Sequence, residues 1–133
     1  MAKPAIVSEK DIENFFDAYN HHDWNTVFNY MSDDCVWDAS EKRLVGRWNI
    51  LDYWTNFHAA FKETLGKPEN VVFGDHIVYL QLRIRLDFLE DGVFYGKAYK
   101  KGAVLNFTCV DFYELNDERR IISARVFVKF ANP

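Results

Sequence analysis

The sequence predicts an α+β fold, in which a curved antiparallel β-sheet wraps around three N-terminal helices to form a cone-shaped α+β barrel. Three observations support this prediction. Apolar residues recur with helical spacing in the first half of the chain, and they alternate with polar residues in the second half. Chains with helices first and strands afterwards usually pack the helices on one face of an antiparallel sheet. The longest predicted strands cover roughly 40 Å, so we expect the sheet to bend around the helices and enclose an interior.

The length of 133 residues fits a single domain, residues 1–133. Aromatic residues are unusually numerous, because 12 Phe, 7 Tyr and 4 Trp make up 17% of the chain. Each aromatic side chain buries a large area, and so small a domain hardly needs this many for packing alone. All four tryptophans lie between positions 24 and 54. We therefore expect the excess to form the wall of an apolar cavity.

Three helices are predicted in the first half of the chain. Ser8, with Asp11 three residues later, is typical of a helix start, and Asp23 can cap a second, shorter helix. A third helix follows Gly46 and runs to Leu65, where a Gly-Lys-Pro sequence stops it. The apolar stripes of the three helices are Ile12, Phe15, Phe16 and Tyr19; Trp24, Val27, Phe28 and Met31; and Ile50, Tyr53, Trp54, Phe57, Phe61 and Leu65.

The remaining segments are predicted strands. A short strand, Cys35–Ala39, separates the second and third helices. From His76 to Phe88 apolar and polar residues alternate throughout, which is typical of a strand with one buried face. Turn residues separate the others, which are Val71–Phe73, Val93–Tyr99, Ala103–Leu115 and Ile121–Phe130.

Composition argues against several classes of function. The net charge of −4 disfavours nucleic acid or an anionic membrane as a partner. No apolar run is long enough to span a membrane, and Met1–Pro4 lacks the apolar region of a secretory signal. Cys35 and Cys109 fit a reduced, cytoplasmic protein better than a disulfide scaffold. Since the four histidines lack metal-ligand spacing and no glycine-rich phosphate loop occurs, we expect chemistry without a metal or cofactor.

One carboxyl group stands out within the predicted strand Ala103–Leu115. Alternate residues of this strand form an almost wholly apolar face, on which Asp111 is the only ionisable carboxylate. If that face looks inward, burial raises the pKa of Asp111 and makes it a usable proton donor or acceptor near neutral pH. The alternative is a structural Asp111 paired with a buried donor. The opposite face has mixed polarity and fits a wet or intersubunit surface.

Other candidate site residues give weaker signals. Trp37 and Asp38 are neighbours on a predicted strand, so only one can point inward, and we expect it to be Trp37. Tyr19 and Tyr53 lie on helix faces that meet the sheet, where their hydroxyls could bind a substrate oxygen or simply belong to the core. His76 begins a strand and is expected at the rim or the surface.

The order of several segments resembles a known superfamily. Tyr19–Trp24 and Tyr30–Val36 resemble the helix-helix-strand opening of the nuclear-transport-factor-like superfamily. Val110–Asp117 and Ile121–Arg125 resemble its last hairpin, and the resemblance extends over about residues 12–130. The superfamily includes ketosteroid isomerases, SnoaL-like polyketide cyclases, scytalone dehydratases, epoxide hydrolases and non-catalytic binding modules. The resemblance implies a cone-shaped α+β barrel that is commonly a homodimer.

The resemblance assigns functional positions residue by residue. Asp111 lies where ketosteroid isomerases place their oxyanion-hole aspartic acid and where SnoaL-like cyclases keep an acid/base aspartate. Phe15 replaces the isomerase's oxyanion tyrosine, and Ala39 replaces its general base, with an aspartate one position earlier. Asn20 and Leu86 stand where the dehydratase has an aspartate and a catalytic histidine. Neither the isomerase's nor the dehydratase's residue set is therefore complete in this chain.

We expect a cofactor-independent cyclase or isomerase of natural-product biosynthesis. It would hold an apolar polyketide or terpenoid in a reactive conformation and move a proton with Asp111. The alternatives are a dehydratase of the same fold and a non-catalytic module for small-molecule binding or dimerisation; an empty cavity that reaches Asp111 favours the enzyme. The residues expected to contact the substrate are Phe15, Tyr19, Trp37, Tyr53, Trp54, Phe57, Leu82, Ile84, Leu86, Phe107 and Cys109.

Overall fold

A computed structural model describes residues 4–39 and 42–130. Its three helices are α1 (Glu9–Asn20), α2 (Trp24–Asn29) and α3 (Arg47–Ala60). The capping predicted for α1 is confirmed, because the Asp11 carboxylate accepts the Ser8 backbone N–H at 2.9 Å. Asp23 caps α2 by accepting the Thr26 backbone N–H at 3.3 Å. Both caps satisfy backbone groups that a helix start leaves without partners.

Nine strands follow or interrupt the helices in the described residues. They are β1 (Met31–Ala39), β2 (Lys42–Val45), β3 (Phe61–Leu65), β4 (Glu69–Gly74), β5 (Ile77–Phe88), β6 (Gly92–Phe94), β7 (Lys97–Tyr99), β8 (Val104–Leu115) and β9 (Ile121–Lys129). Seven of them form one curled sheet in the order β2-β1-β9-β8-β5-β3, with β4 also paired to β5. The α+β cone predicted from the sequence is confirmed. The sheet is mixed rather than antiparallel, because β1 runs parallel to β9.

The predicted third helix is wrong beyond Ala60. The chain leaves the helix there and forms β3, in which Phe61 pairs with Phe88 and Leu65 with Ile84. Pairing along β5 satisfies the backbone of this segment in the sheet, so tertiary structure overrides the helical spacing of its apolar residues. As a result, alternate residues of β3 face the core.

Smaller differences concern strand boundaries. Met31 belongs to β1 rather than to α2, and a register irregularity follows it before Val36. The predicted strand Val93–Tyr99 is a hairpin of β6 and β7, whose turn residues Tyr95 and Gly96 both have positive φ (50° and 76°). Two such residues are typical of a tight hairpin turn. The strand β2 was not predicted.

The hydrophobic core lies between the helices and the inner face of the sheet. Trp54 joins the two layers, because its ring packs on Trp24 and Trp37 with centroids 5.5 and 5.1 Å away. Trp48 is the exception among the tryptophans, since it is 75% exposed and contributes nothing to the interior. None of the described helices is long and apolar enough to cross a membrane.

Candidate functional site

A partly enclosed cavity of about 120 Å³, measured as the space open to the centre of a water molecule, lies between the helices and the sheet. More than half of the described residues that line it are aromatic. Most of the rest are aliphatic, and two are carboxylates, Asp111 and Glu63. An apolar wall with few polar groups is the usual composition of a small-molecule site. An empty cavity therefore reaches Asp111.

The structure brings most of the residues predicted from the sequence into this one cavity. Leu86 is the exception: it faces the same side of β5 as Leu82 and Ile84, but it is fully buried in the core and has no surface left to meet a ligand. The predicted residues that line the cavity are Phe15, Tyr19, Trp37, Tyr53, Trp54, Phe57, Leu82, Ile84, Phe107, Cys109 and Asp111.

Asp111 lies on the inward face of β8 and is 4% exposed. The Tyr113 hydroxyl donates a hydrogen bond to Asp111 Oδ2 at 2.7 Å. The second oxygen, Oδ1, is buried and has no hydrogen-bond partner among the described residues. Burial is the main cause that raises the pKa of this carboxyl from 3.8 to about 7; the Tyr113 hydrogen bond opposes the increase, and the charge of Glu63 adds to it. Asp111 therefore has one oxygen without a partner among the described residues, and a pKa at which the carboxyl exchanges a proton near neutral pH.

Glu63 is a second cavity carboxylate that the sequence analysis missed. It lies in the middle of β3, and its side chain is 13% exposed. Burial raises its pKa from 4.5 to about 7, against a hydrogen bond from Tyr19 that lowers it. The signal that could have found it is the alternation from Phe61 to Leu65, which places Glu63 between two inward apolar residues of a strand.

Tyr19 and His58 hold Glu63 in place. The Tyr19 hydroxyl donates to Glu63 Oε1 at 2.5 Å, and His58 Nε2 lies 3.0 Å from the same hydroxyl. Burial and the nearby His22 lower the pKa of His58 to about 4. His58 is therefore neutral at physiological pH, and its 3.9 Å contact with Glu63 Oε1 is not an ion pair. Burial and the neighbouring carboxylates raise the pKa of the Tyr19 hydroxyl and of the Tyr113 hydroxyl, so both remain donors.

The two carboxyls influence each other. Glu63 in its charged form raises the pKa of Asp111, and both pKa values are about 7, so near neutral pH one carboxyl can be charged while the other is protonated. One carboxylate and one carboxylic acid in the same apolar cavity form an acid and a base available together near neutral pH. The Tyr19 hydrogen bond favours the charged form of Glu63, and the free Oδ1 of Asp111 can carry the proton.

The remaining candidates lie elsewhere or are chemically inert. Trp37 lines the cavity and Asp38 does not, as expected from strand alternation. His76 is at the surface, where it contacts Asp75 and Asp117 at 3.1 and 3.0 Å. Cys109 lines the cavity, but burial raises the pKa of its thiol, which removes it as a nucleophile. Four further aromatic residues of the wall were not among the predicted site residues: Phe16, Tyr113, and Phe94 and Tyr95 from the β6–β7 hairpin.

Both cysteines are free and buried. In residues 4–39 and 42–130 no group of three or more histidine, cysteine, aspartate and glutamate side chains could hold a metal ion. The chemistry of the cavity that can be described from this chain is that of its carboxyl and hydroxyl groups.

The sequence profile of the SnoaL-like domain family matches residues 12–123, and no curated protein sequence matches the chain significantly. The resemblance to SnoaL-like and nuclear-transport-factor-like proteins expected from the sequence is thereby confirmed.

Solved structures share the fold at low sequence identity. A candidate polyketide cyclase from Pseudomonas putida superposes with a TM-score of 0.76 at 14% identity, covering 91% of each chain. A SnoaL-like polyketide cyclase from Agrobacterium tumefaciens superposes with a TM-score of 0.74 at 14% identity, covering 93% of each chain. An LEH-like epoxide hydrolase from M. tuberculosis gives 0.68 at 17% identity, covering 89% of this chain and 79% of the hydrolase. These superpositions show that the fold is shared. At identities this low they do not identify the reaction.

Proposed function

We propose that this chain, which belongs to the SnoaL-like domain family, is a cofactor-independent isomerase or cyclase. Its substrate would be an apolar molecule that carries a carbonyl group, such as a polyketide or terpenoid intermediate of natural-product biosynthesis. The reaction would depend on confinement in the aromatic cavity and on proton transfer by Asp111 and Glu63.

One observation carries the proposal: Asp111 Oδ1 is buried and has no partner among the described residues, and Asp111 lines a mostly apolar cavity. A core that only needed stability would leave such an oxygen paired or absent, because an unsatisfied buried polar atom costs about 1–3 kcal/mol. A substrate oxygen placed against Oδ1 would supply the missing partner.

The arrangement assigns one role to each carboxyl. Glu63 as carboxylate takes a proton from the carbon next to the substrate carbonyl, while Asp111 as carboxylic acid donates to the developing negative charge. The electron pair of the broken C–H bond forms the enolate double bond, which either moves along the molecule or attacks a second carbonyl to close a ring. In isomerisation Glu63 returns this proton to the γ-carbon and Asp111 recovers its own proton from the enol oxygen, so both carboxyls end as they began. In ring closure Asp111 protonates the oxygen of the attacked carbonyl, so Glu63 ends with one additional proton and Asp111 lacks one. The two groups act in a cavity with little water, where electrostatic stabilisation is strongest.

The shape of the site supports a substrate with a large apolar surface. Aromatic walls favour planar or polyene-like molecules, and orientation of the reacting atoms can supply much of the rate enhancement. Two solved structures that share the fold are described as polyketide cyclases, which is consistent with this substrate class.

A small β,γ-unsaturated ketone tests the proposal. We expect the protein to convert 3-cyclohexen-1-one to its conjugated isomer, followed by ultraviolet absorbance. Asp111→Asn should lower kcat/KM by about 10²–10⁴-fold, the usual contribution of a positioned acid or base. Asp38→Asn is the matched control, since Asp38 lies outside the cavity lining and the rate should not change. An Asp111→Asn variant as fast as wild type would contradict the proposal.

The alternatives give different results in the same assay. A non-catalytic binding module would bind 2-naphthol, a planar apolar alcohol, with a change in its fluorescence, and would not accelerate the ketone isomerisation. A dehydratase would act on β-hydroxy ketones and release water, which the loss of mass in the product detects.

We also propose that the protein forms a homodimer through the outer face of the sheet. Val110 and Phe127 are paired neighbours on β8 and β9, and they are 42% and 58% exposed. Tyr79 on β5 adds a further exposed aromatic ring, and exposed apolar side chains on one face of a sheet often mark an interface. Sedimentation equilibrium should show a dimer that Phe127→Glu dissociates; a wild-type monomer at micromolar concentration would contradict this.

A further inference from the structure

We propose that Glu63, Tyr19, His58 and His22 form a proton relay that connects the buried cavity to solvent. The proposed function gives this relay its purpose, which is to restore Glu63 to its charged form after each ring closure. The relay itself is a property of the free protein and can be tested without any substrate.

Hydrogen bonds connect the first three groups of the path, and a ring contact connects the fourth. Glu63 Oε1 accepts the Tyr19 hydroxyl at 2.5 Å, and the Tyr19 oxygen lies 3.0 Å from His58 Nε2. The other ring nitrogen of His58, Nδ1, is buried and has no hydrogen-bond partner among the described residues. The ring of His22 lies over the His58 ring with centroids 4.6 Å apart. His22 is exposed, so it is the group that can pass a proton between His58 and water.

Proton transfer along this path balances without charging His58. With Glu63 protonated, its proton moves to the Tyr19 oxygen while the Tyr19 proton moves to His58 Nε2. The proton on His58 Nδ1 leaves at the same time to His22 and then to water. Glu63 ends as a carboxylate that accepts from Tyr19, and His58 ends as the tautomer that carries its proton on Nε2. The structure matches this final state, since Tyr19 donates to Glu63.

The groups around the relay favour this neutral pathway. His58 has a side chain only 5% exposed, and burial together with His22 lowers its pKa to about 4. Glu63 and Tyr19 are the titratable groups that contact it from β3 and α1. Asp111 and Cys109 on β8 also line the cavity that Glu63 faces. A tautomer exchange at His58 avoids placing a positive charge in this environment.

The relay solves a problem that the proposed chemistry creates. Each ring closure leaves Glu63 with an additional proton while the product still fills the cavity and blocks water from that side. A second route through α1 and α3 lets Glu63 release its proton before the product leaves. Asp111 has no comparable chain, because its partner Tyr113 is fully buried, and it regains its proton from water that enters after the product.

Nitrogen-15 NMR of the histidine rings tests the relay in the free, full-length protein. We expect the proton of neutral His58 to move from Nε2 to Nδ1 as the pH falls through about 7, in step with protonation of Glu63. In Glu63→Gln the tautomer should stay the same over that range. In Asp111→Asn the change should remain, because Glu63 is still present and titrates. A single His58 tautomer throughout the Glu63 titration, or a positively charged His58, would overturn the proposal.

The last step of the relay, proton transfer from His58 through His22 to water, can be measured separately. At a pH where Glu63 is protonated, exchange of the His58 Nδ1–H with water should slow in His22→Phe by about a hundredfold or more, the smaller end of what a positioned acid or base contributes. His21→Phe is the matched control, since the exposed His21 bonds to the Asp17 carbonyl and lies outside the path. Equal exchange rates in His22→Phe and wild type would remove His22 from the relay.

These results are independent of the proposed function. A relay that behaves as expected in a protein that converts no ketone would leave the tautomer exchange established and the catalytic proposal wrong. A protein that isomerises the ketone through Asp111 but keeps one His58 tautomer would retain its proposed function and lose the relay.

Discussion

The hydroxyl of Tyr113 donates to Asp111 Oδ2 at 2.7 Å, across two residues of one strand. Residues two apart on a strand share a face, so the strand itself brings this donor and this carboxyl together inside the cavity. The bond fixes one carboxyl oxygen and leaves Oδ1 free to meet a ligand. The position of the catalytic group that we propose therefore depends on one hydrogen bond within β8.

Tyr113→Phe should remove this orientation with little change in shape. Because both oxygens of the buried Asp111 would then lack partners, the free energy of unfolding should fall by about 1–3 kcal/mol. The pKa of Asp111 should rise further, since the lost hydrogen bond lowers it. Urea unfolding at pH 6 measures the first effect, and carbon-13 NMR of the carboxyl group measures the second. An unchanged urea midpoint would contradict the orienting role of Tyr113.

The stability of the protein should depend on pH through Asp111. Its pKa is about 7 in the folded chain against 3.8 ordinarily, so the folded chain binds this proton more tightly than the unfolded chain. The corresponding stabilisation is complete below about pH 4 and is lost as the pH rises to about 7. The change from 3.8 to about 7 corresponds to about 4 kcal/mol.

Asp111→Asn should therefore become more stable than wild type by a few kcal/mol at pH 8, and lose this advantage at pH 4.5. Urea unfolding at the two pH values provides the comparison. Asp52→Asn, at an exposed position of α3, is the control and should follow the wild type. An Asp111→Asn variant that parallels wild type at both pH values would show that the carboxyl is not held in a desolvated site.

A larger residue at Ala39 should fill the cavity. Ala39 lines it from the end of β1, so Ala39→Leu should weaken the binding of 2-naphthol by about tenfold or more, equivalent to about 1.4 kcal/mol. Ala59→Leu, exposed on α3, adds the same side chain outside the cavity and should leave binding unchanged. Fluorescence titration measures both variants, and equal affinities would place the ligand elsewhere.

The cysteines should be unreactive in the folded protein. Burial raises the pKa of Cys35 to about 11 and also raises that of Cys109, and only the thiolate reacts efficiently. A colorimetric disulfide reagent at pH 8 should modify neither residue within the time that unfolded protein reacts completely. Fast modification of Cys109 would mean that the cavity admits polar reagents and a charged thiolate.

Strand alternation made Asp111, Trp37 and the residues of β5 predictable. A carboxylate on an otherwise apolar strand face indicates a desolvated site, whichever strands pair with that strand. Leu86 was expected to contact the substrate, but it is fully buried. Strand alternation shows which face a side chain occupies and not how deeply it is buried.

Strand alternation alone did not identify Glu63, because its segment also fits a helix. Phe57, Phe61 and Leu65 fit helical spacing, while Phe61, Glu63 and Leu65 equally fit a strand, and local pattern does not separate the two. Pairing with β5 decides between them, and pairing is a non-local property. The parallel contact of β1 with β9 and the meeting of Tyr19 with Glu63, 44 residues apart, depend on tertiary structure in the same way.

The most direct test is a carbon-13 NMR titration of the carboxyl groups of Asp111 and Glu63 in the free protein. We predict that both titrate near pH 7, and that Glu63→Gln lowers the pKa of Asp111 because it removes the neighbouring charge. Titration of both groups near pH 4, with no response of Asp111 to Glu63→Gln, would contradict the proposed acid and base pair.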